Sequence, residues 1–205
     1  PVNNLNLAVN NGALVNFAVT QHLGQLTVSN GLAKLGAGGN KTIKVTSVLA
    51  TGGKIDLTNN RLIADYSPGN SSIVSIRQQI ISGYNSAGTL WGGNGIISST
   101  AAGSPTATGL GYAEASEIFG AGGGVFGSEN VDGSAVLVRY TLLGDATLDG
   151  VVDFNDLVKL AQNYNTTVSA STQSWWNRGD FTYDGVVDFN DILKLAQNYN
   201  AALPS

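Results

Sequence analysis

The chain has 205 residues, 42% of them hydrophobic, enough for one sizeable core or a core with a small appendage, which excludes global disorder. With no Cys, disulfide scaffolds, thiol nucleophiles, thiolate zinc sites and cysteine-ligated iron–sulfur clusters are excluded, and the lone His22 argues against a multi-histidine metal site. A formal charge of -4 gives no basic footprint for nucleic acid or an anionic membrane and favours cations as ligands. No run of 18 apolar residues is present, so membrane insertion is not expected. The 27 Gly, the abundant Asn, Ser and Thr and only 12% charged residues suit an extracellular or cell-surface β-rich protein, and a start at Pro1 with no Met reads as an excised piece of a longer one.

From Leu5 to about Tyr66, short β-favouring runs are separated by Gly, Asn and Ser. Leu26 and Val28, Ile43 and Val45, and Ile55 and Leu57 alternate with polar neighbours, and turn signals recur at Asn30-Gly31, Gly38-Gly39, Gly52-Gly53 and Asn59-Asn60. A sandwich and a solenoid both satisfy this pattern, and the brevity of the runs with small residues at the corners favours the solenoid. Between Ser71 and Tyr84 the period lengthens, and Ile73, Ile76, Ile80 and Tyr84 predict one face of an amphipathic helix capped by Asn70, Ser71 or Ser72. A second short helix is predicted in TGLGYAEASEIFG, with Tyr112, Ala115, Ile118 and Phe119 on one side and Glu114 and Glu117 facing solvent. From Ser134, SAVLVRYTLLG returns to a strand, and the text changes character near Gly144. The expected fold class is therefore mainly β: a solenoid-like or sandwich domain over 1–143 with one or two short helices, followed by a small helical module over 144–205.

That second part is a duplication. Gly144 to Asn165 reads GDATLDGVVDFNDLVKLAQNYN and returns 35 residues later, from Gly179 to Asn200, as GDFTYDGVVDFNDILKLAQNYN, identical at 18 of 22 positions. Asp145, Thr147, Asp149, Val151, Asp153 and Asp156 fall at positions 1, 3, 5, 7, 9 and 12 of an EF-hand-type calcium loop, as do Asp180, Thr182, Asp184, Val186, Asp188 and Asp191. Acids at alternate positions of a tight loop point at one centre, the position 7 residue offers its backbone carbonyl, and Gly150 or Gly185 permits the sharp turn. Such hard oxygen donors select a hard cation. A helix is predicted after each loop, capped by Asp153 or Asp188 with Asp156 or Asp191 completing a capping box. Leu157, Leu160, Ala161 and Tyr164 form its apolar stripe, repeated by Ile192, Leu195, Ala196 and Tyr199. Four crowded carboxylates repel, so ion binding is expected to order this module of roughly 60 residues. Eight of the 14 acidic residues lie in the two loops, and two Ca²⁺ would bring the formal charge of -4 to zero, which predicts a stoichiometry of two.

A duplicated calcium loop followed by a helix, with no obvious helix before it, resembles a type I dockerin over Gly144 to Asn200. The resemblance implies a small extracellular module that docks onto a cohesin-like domain through paired positions at the loop and helix junction, here Phe154 and Asn155 in one copy and Phe189 and Asn190 in the other. Many dockerins resemble Ser-Thr at that pair, and Asn or Asp is usual where Thr147 and Thr182 stand. The alternative partner for these four residues is the chain's own β domain. The preceding region, including TQHLGQLTVSNG, GGKIDLTNNRLIADYS, GLGYAEAS and VDGSAVLVRYTLLGDATLDG, resembles the C-terminal portions of large exported planctomycete proteins that follow autotransporter-like β-strand repeats, which implies a location at or outside the cell surface.

Other residues carry weaker signals. His22 has no second imidazole or thiol, and Glu114 with Glu117 is more often a solvated face than a glycosidase-type pair, even with Asp56, Asp65 and Asp132 as further acids. Trp91, with Tyr84 and Tyr112, offers rings for carbohydrate, whereas Trp175 and Trp176 suit packing beside a small module. The glycine groups at 36–39 and 122–124 lack the spacing of a phosphate loop. The expected function is a non-catalytic calcium-binding module for adhesion, attachment or assembly of a large exported protein, with a carbohydrate-binding module and a fragment of a polysaccharide-acting enzyme as alternatives.

Overall fold

The computed structural model describes residues 5–85, 87–167 and 174–204. Up to Ile97 the chain passes back and forth between two sheets. Strand β1 (Leu7–Asn10) lies in the first sheet and β2 (Leu14–Phe17) in the second; β3 (Gln21–Ser29), β4 (Leu32–Leu35), β5 (Thr42–Thr51), β6 (Lys54–Asp56) and β7 (Arg61–Asp65) continue the alternation. After helix α1 (Ile73–Tyr84), β8 (Gly95–Ile97) completes the second sheet, whose four strands β2-β4-β6-β8 are all parallel. The small residues read as turns sit where successive passes stack. Asn30 and Gly52 have positive φ, and a Cβ on Gly53 would stand 2.9 Å from the Gly31 carbonyl oxygen, so these corners pack backbone against backbone.

The remaining chain closes the first sheet. Helix α2 (Ser99–Ala102) leads to β9 (Thr108–Glu114), helix α3 (Ala115–Phe119), a hairpin of β10 (Gly124–Phe126) and β11 (Glu129–Val131), and then β12 (Ala135–Leu142). β12 enters between β7 and β9, antiparallel to both, which gives a six-stranded mixed sheet in the order β1-β3-β5-β7-β12-β9. Val136, Leu137 and Val138 are fully buried, as is every residue of β9 to within 8%.

These observations correct the expected fold class. Over the described residues the molecule is α/β, a mixed six-stranded sheet with five short helices, and they form neither the mainly β solenoid-like or sandwich domain nor a separate helical module with EF-hand-type calcium loops. Pairing of 61–65 with 135–139 makes the sheet mixed, a long-range contact that no local pattern encodes. The predicted helix over Ile73 to Tyr84 is found, with Ile73, Ile76 and Ile80 buried. The second is displaced: residues 108–114 form β9, and only Ala115–Phe119 is helical.

Beyond β12, α4 (Phe154–Asn163), β13 (Thr166–Thr167), a 3₁₀ turn at Trp176–Arg178, β14 (Val186–Val187) and α5 (Phe189–Asn198) follow. A strand precedes the first loop and a 3₁₀ turn the second, so neither has the paired helices of an EF-hand. Each loop pairs with the segment after the other repeat's helix: Val151 bridges Ala202, and β14 pairs with β13. Both repeats share the core of the sheet. The Trp176 ring lies 5.2 Å from Phe181 and 5.3 Å from Tyr183, and Tyr183 reaches Tyr84 at 4.7 Å. Gly109 and Gly111 in β9 make this possible, because a Cβ there would come 2.5 Å from the Tyr183 hydroxyl and 2.7 Å from the Trp176 Nε1.

Candidate metal centre

Each acidic loop is built around two fully buried aspartates. In the first, Asp145 Oδ1 accepts the Asp149 N–H at 3.1 Å, its Oδ2 accepts the Gly150 N–H at 2.9 Å, and the Thr141 hydroxyl also donates to it. Asp156 Oδ1 accepts from Thr147 N–H at 2.9 Å and from the Thr147 hydroxyl at 3.0 Å, while Oδ2 accepts the Asp153 N–H at 2.8 Å. The second loop repeats the plan. Asp180 accepts from Asp184 at 3.2 Å and Gly185 at 3.0 Å; Asp191 accepts from Phe181, Thr182 and Asp188 at 2.8, 3.0 and 2.9 Å.

The other sequence-predicted residues surround these pairs. Asp149 and Asp184 are exposed, and each accepts the N–H of the residue two further on, Val151 or Val186. Asp153 and Asp188 are half-buried and cap α4 and α5 through Asn155 and Asn190, both at 2.7 Å, with Asp156 and Asp191 completing the capping boxes. Thr147 stands within 3.4 Å of Asp145 and 3.0 Å of Asp156, linking positions 1 and 12. Thr182 occupies the equivalent place beside Asp191 in the second loop, its N–H donating to Asp191 Oδ1 at 3.0 Å.

Burial dominates the electrostatics. It raises the carboxyls of Asp145 to about 6, Asp180 to about 7 and Asp191 to about 6, and lifts Asp156 as well; the neighbouring Asp191 and Asp184 push Asp180 further. The hard oxygen donors and the fully buried aspartates at positions 1 and 12 of each loop fit a hard divalent cation. The carboxylates do not already converge, however. Among the described residues no three His, Cys, Asp or Glu side chains are grouped so as to hold a metal ion, and the aspartate oxygens turn instead onto the loop's own N–H groups.

Sequence reasoning missed what supports the loops. The Arg139 guanidinium donates to the Leu148 carbonyl at 2.6 Å, the Trp176 Nε1–H donates to the Asp145 carbonyl at 2.7 Å, and the Tyr183 hydroxyl is anchored on Leu110. Glycines inside an otherwise apolar strand, Gly109 and Gly111, were the available signal for a close approach.

Phe154 and Phe189 are 65% and 59% exposed, and Asn155 and Asn190 beside them are exposed too, so all four face outwards from the first turns of α4 and α5. The rings considered for sugar stacking lie elsewhere: Trp91 and Tyr112 are buried and Tyr84 is half-buried. Glu114 is held by the Tyr66 hydroxyl at 2.6 Å and by Ser71, whereas Glu117 pairs with Arg178 at 3.2 Å. His22 pairs with Glu129 at 2.9 Å. Asp56 pairs with Lys34 and Asp65 with Lys44, and Asp132 accepts the Ser134 N–H. No described helix is long and apolar enough to cross a membrane.

Comparison with protein-family models, curated proteins and solved structures finds no match for this chain.

Proposed function

We propose that the chain is a non-catalytic calcium-binding module of an exported protein, working at or outside the cell surface in adhesion, attachment or assembly. One observation carries the reading: a loop with oxygen donors at six calcium-ligand positions occurs twice, and in both copies its first and last aspartates are fully buried without a balancing ion pair among the described residues. A divalent cation in each loop would supply the positive charge that these acids lack. Asp145, Thr147, Asp149, the Val151 carbonyl, Asp153 and Asp156 would hold one ion, and Asp180, Thr182, Asp184, the Val186 carbonyl, Asp188 and Asp191 the other.

The chain's own groups couple that site to a surface. Asp153 with Asp156, and Asp188 with Asp191, belong at once to a loop and to a helix cap, so fixing the carboxylates fixes the first turns that present Phe154 with Asn155 and Phe189 with Asn190. Two exposed Phe-Asn pairs at equivalent places of a repeat suit recognition of a protein partner in trans, a cohesin-like domain by the dockerin resemblance.

Calorimetric titration of the chelator-treated chain is expected to show two Ca²⁺ per chain, with a gain in thermal stability and in helicity at the α4 and α5 signals. Absence of both heat and stabilisation would overturn the reading.

A further inference from the structure

Arg61 in β7 and Arg139 in β12 are register partners on adjacent antiparallel strands. Like charges directly opposite one another across a strand pair are destabilising, and a buried guanidinium ordinarily finds a carboxylate. Neither does so here. The ion pairs among the described residues are His22–Glu129, Lys34–Asp56, Lys44–Asp65 and Arg178–Glu117. Each arginine instead gives one N–H to a backbone carbonyl, Arg61 to Gly39 at 2.7 Å and Arg139 to Leu148 at 2.6 Å, and the Nε–H of each has no acceptor. Burial and repulsion from Arg139 lower the pKa of Arg61, and burial lowers that of Arg139 against the pull of Asp145 and Asp149, so added negative charge is favoured most beside Arg61.

Both side chains line an open groove of about 720 Å³, with Asn59, Ser128 and Leu203 among its walls. A volume of this order suits a sugar-sized ligand rather than a bare ion. Tethering by Gly39 and Leu148 holds the two guanidinium groups in place, and Gly127 and Gly150 lie against them: a Cβ on Gly127 would stand 3.1 Å from Arg61 Cδ, and one on Gly150 2.8 Å from Arg139 Nη2. Asp149 is the one acid among the groove's lining residues, and the Val151 N–H already occupies its Oδ1.

We propose that this groove binds an oxyanion carried on a small polar ligand, as in a uronic acid, with Arg61 and Arg139 gripping the charged group from neighbouring strands. The chemistry is that of paired guanidinium groups on a carboxylate or sulfate, strongest where two forks converge. The groove borders the first acidic loop at Asp149, Gly150 and Val151, and is separate from the second loop and from the exposed Phe-Asn pairs.

Titration calorimetry on the full chain, saturated with calcium and at low ionic strength, with galacturonic acid, galactose and inorganic sulfate tests it. Galacturonic acid is expected to bind and galactose not to; Arg61→Gln should weaken binding about tenfold or more, and Arg61→Lys, which keeps the charge but loses the fork, by less. Competition by sulfate would support the oxyanion site, and binding of sulfate alone would assign it to a free inorganic anion and overturn the sugar-acid ligand. No binding by the unaltered chain, or equal binding of galactose, overturns the proposal, as does full affinity in a folded Arg61→Gln.

Discussion

The buried aspartates of the two loops set a dependence on acid that is unusual in direction. A carboxyl whose folded pKa lies above its ordinary value of 3.8 holds its proton more tightly in the native state, as Asp145, Asp180 and Asp191 do at about 6, 7 and 6. Their contribution to stability is therefore fully present below about 3.8 and is lost as pH rises through 6 to 7. Glu114, raised by burial, acts in the same direction. In the presence of chelator the midpoint of thermal unfolding is expected to be higher at pH 5 than at pH 8, and the gain on adding calcium to be larger at pH 8. Scanning calorimetry at the two pH values checks both, and a chelated chain more stable at pH 8 would contradict the assignment. The duplication and the alternate spacing of its acidic residues were legible because they reside in residue identity. The burial of Asp145 was not, since Trp176 reaches its carbonyl from 31 residues further along the chain.

Among the elements, the two loops are nearly identical in sequence but meet different neighbours. At position 6 a Cβ on Gly150 would face the Arg139 guanidinium at 2.8 Å, whereas one on Gly185 would face the Trp175 ring at 2.9 Å. A guanidinium in direct contact with the first loop's turn opposes a cation there more than the second loop's neighbour does, where the turn meets the Trp175 ring and the Arg77 guanidinium stacks on that ring 4.1 Å from its centroid. The two calcium affinities are thus expected to differ, the second loop filling first, by about tenfold for one charge at partly screened range. Arg139→Gln should narrow the gap by tightening the first site, as resolved by titration of loop resonances in NMR; an unchanged gap would assign the difference elsewhere. Sequence reasoning located α1 from its apolar period and the starts of α4 and α5 from their capping boxes, because such signals are local. It failed over Thr108 to Glu114, where Tyr112 and Ala115 look helical in spacing but β12 offers a ladder from Leu142 to Val136. Tertiary pairing overrode the pattern.

For the molecule as a whole, the sequence pointed to two bodies joined near Gly144, while the rings of Trp176, Phe181 and Tyr183 bury themselves on β9, Tyr84 and one another. Asn198 adds hydrogen bonds to Leu143 at 2.7 Å and Ala107 at 3.1 Å. Stripped of the sheet, the duplicated segment would expose these rings, each worth several kcal/mol of burial. The fragment 144–205 is therefore expected to give a broad, weakly cooperative melt and poorly dispersed amide spectra even with calcium, whereas a sharp transition would show that it carries a sufficient core of its own. The short apolar runs were readable as strands, but their sheet order was not, because β12 finds β7 across the 69 residues between Asp65 and Ala135.

The crossed pairing between the repeats ties the C-terminal segment to the first loop. Leu203 donates to the Gly150 carbonyl at 2.8 Å, Val152 donates to Ala201 at 2.9 Å, and Asn200 donates to Val152 at 2.8 Å. Tension applied at that end would load these three bonds and reach the turn of the first loop before it reached the second. The last described residues act as a latch on a loop whose own sequence lies about 50 residues upstream; a load heavy enough to peel them away would slacken the first acidic loop while leaving the second fastened to β13.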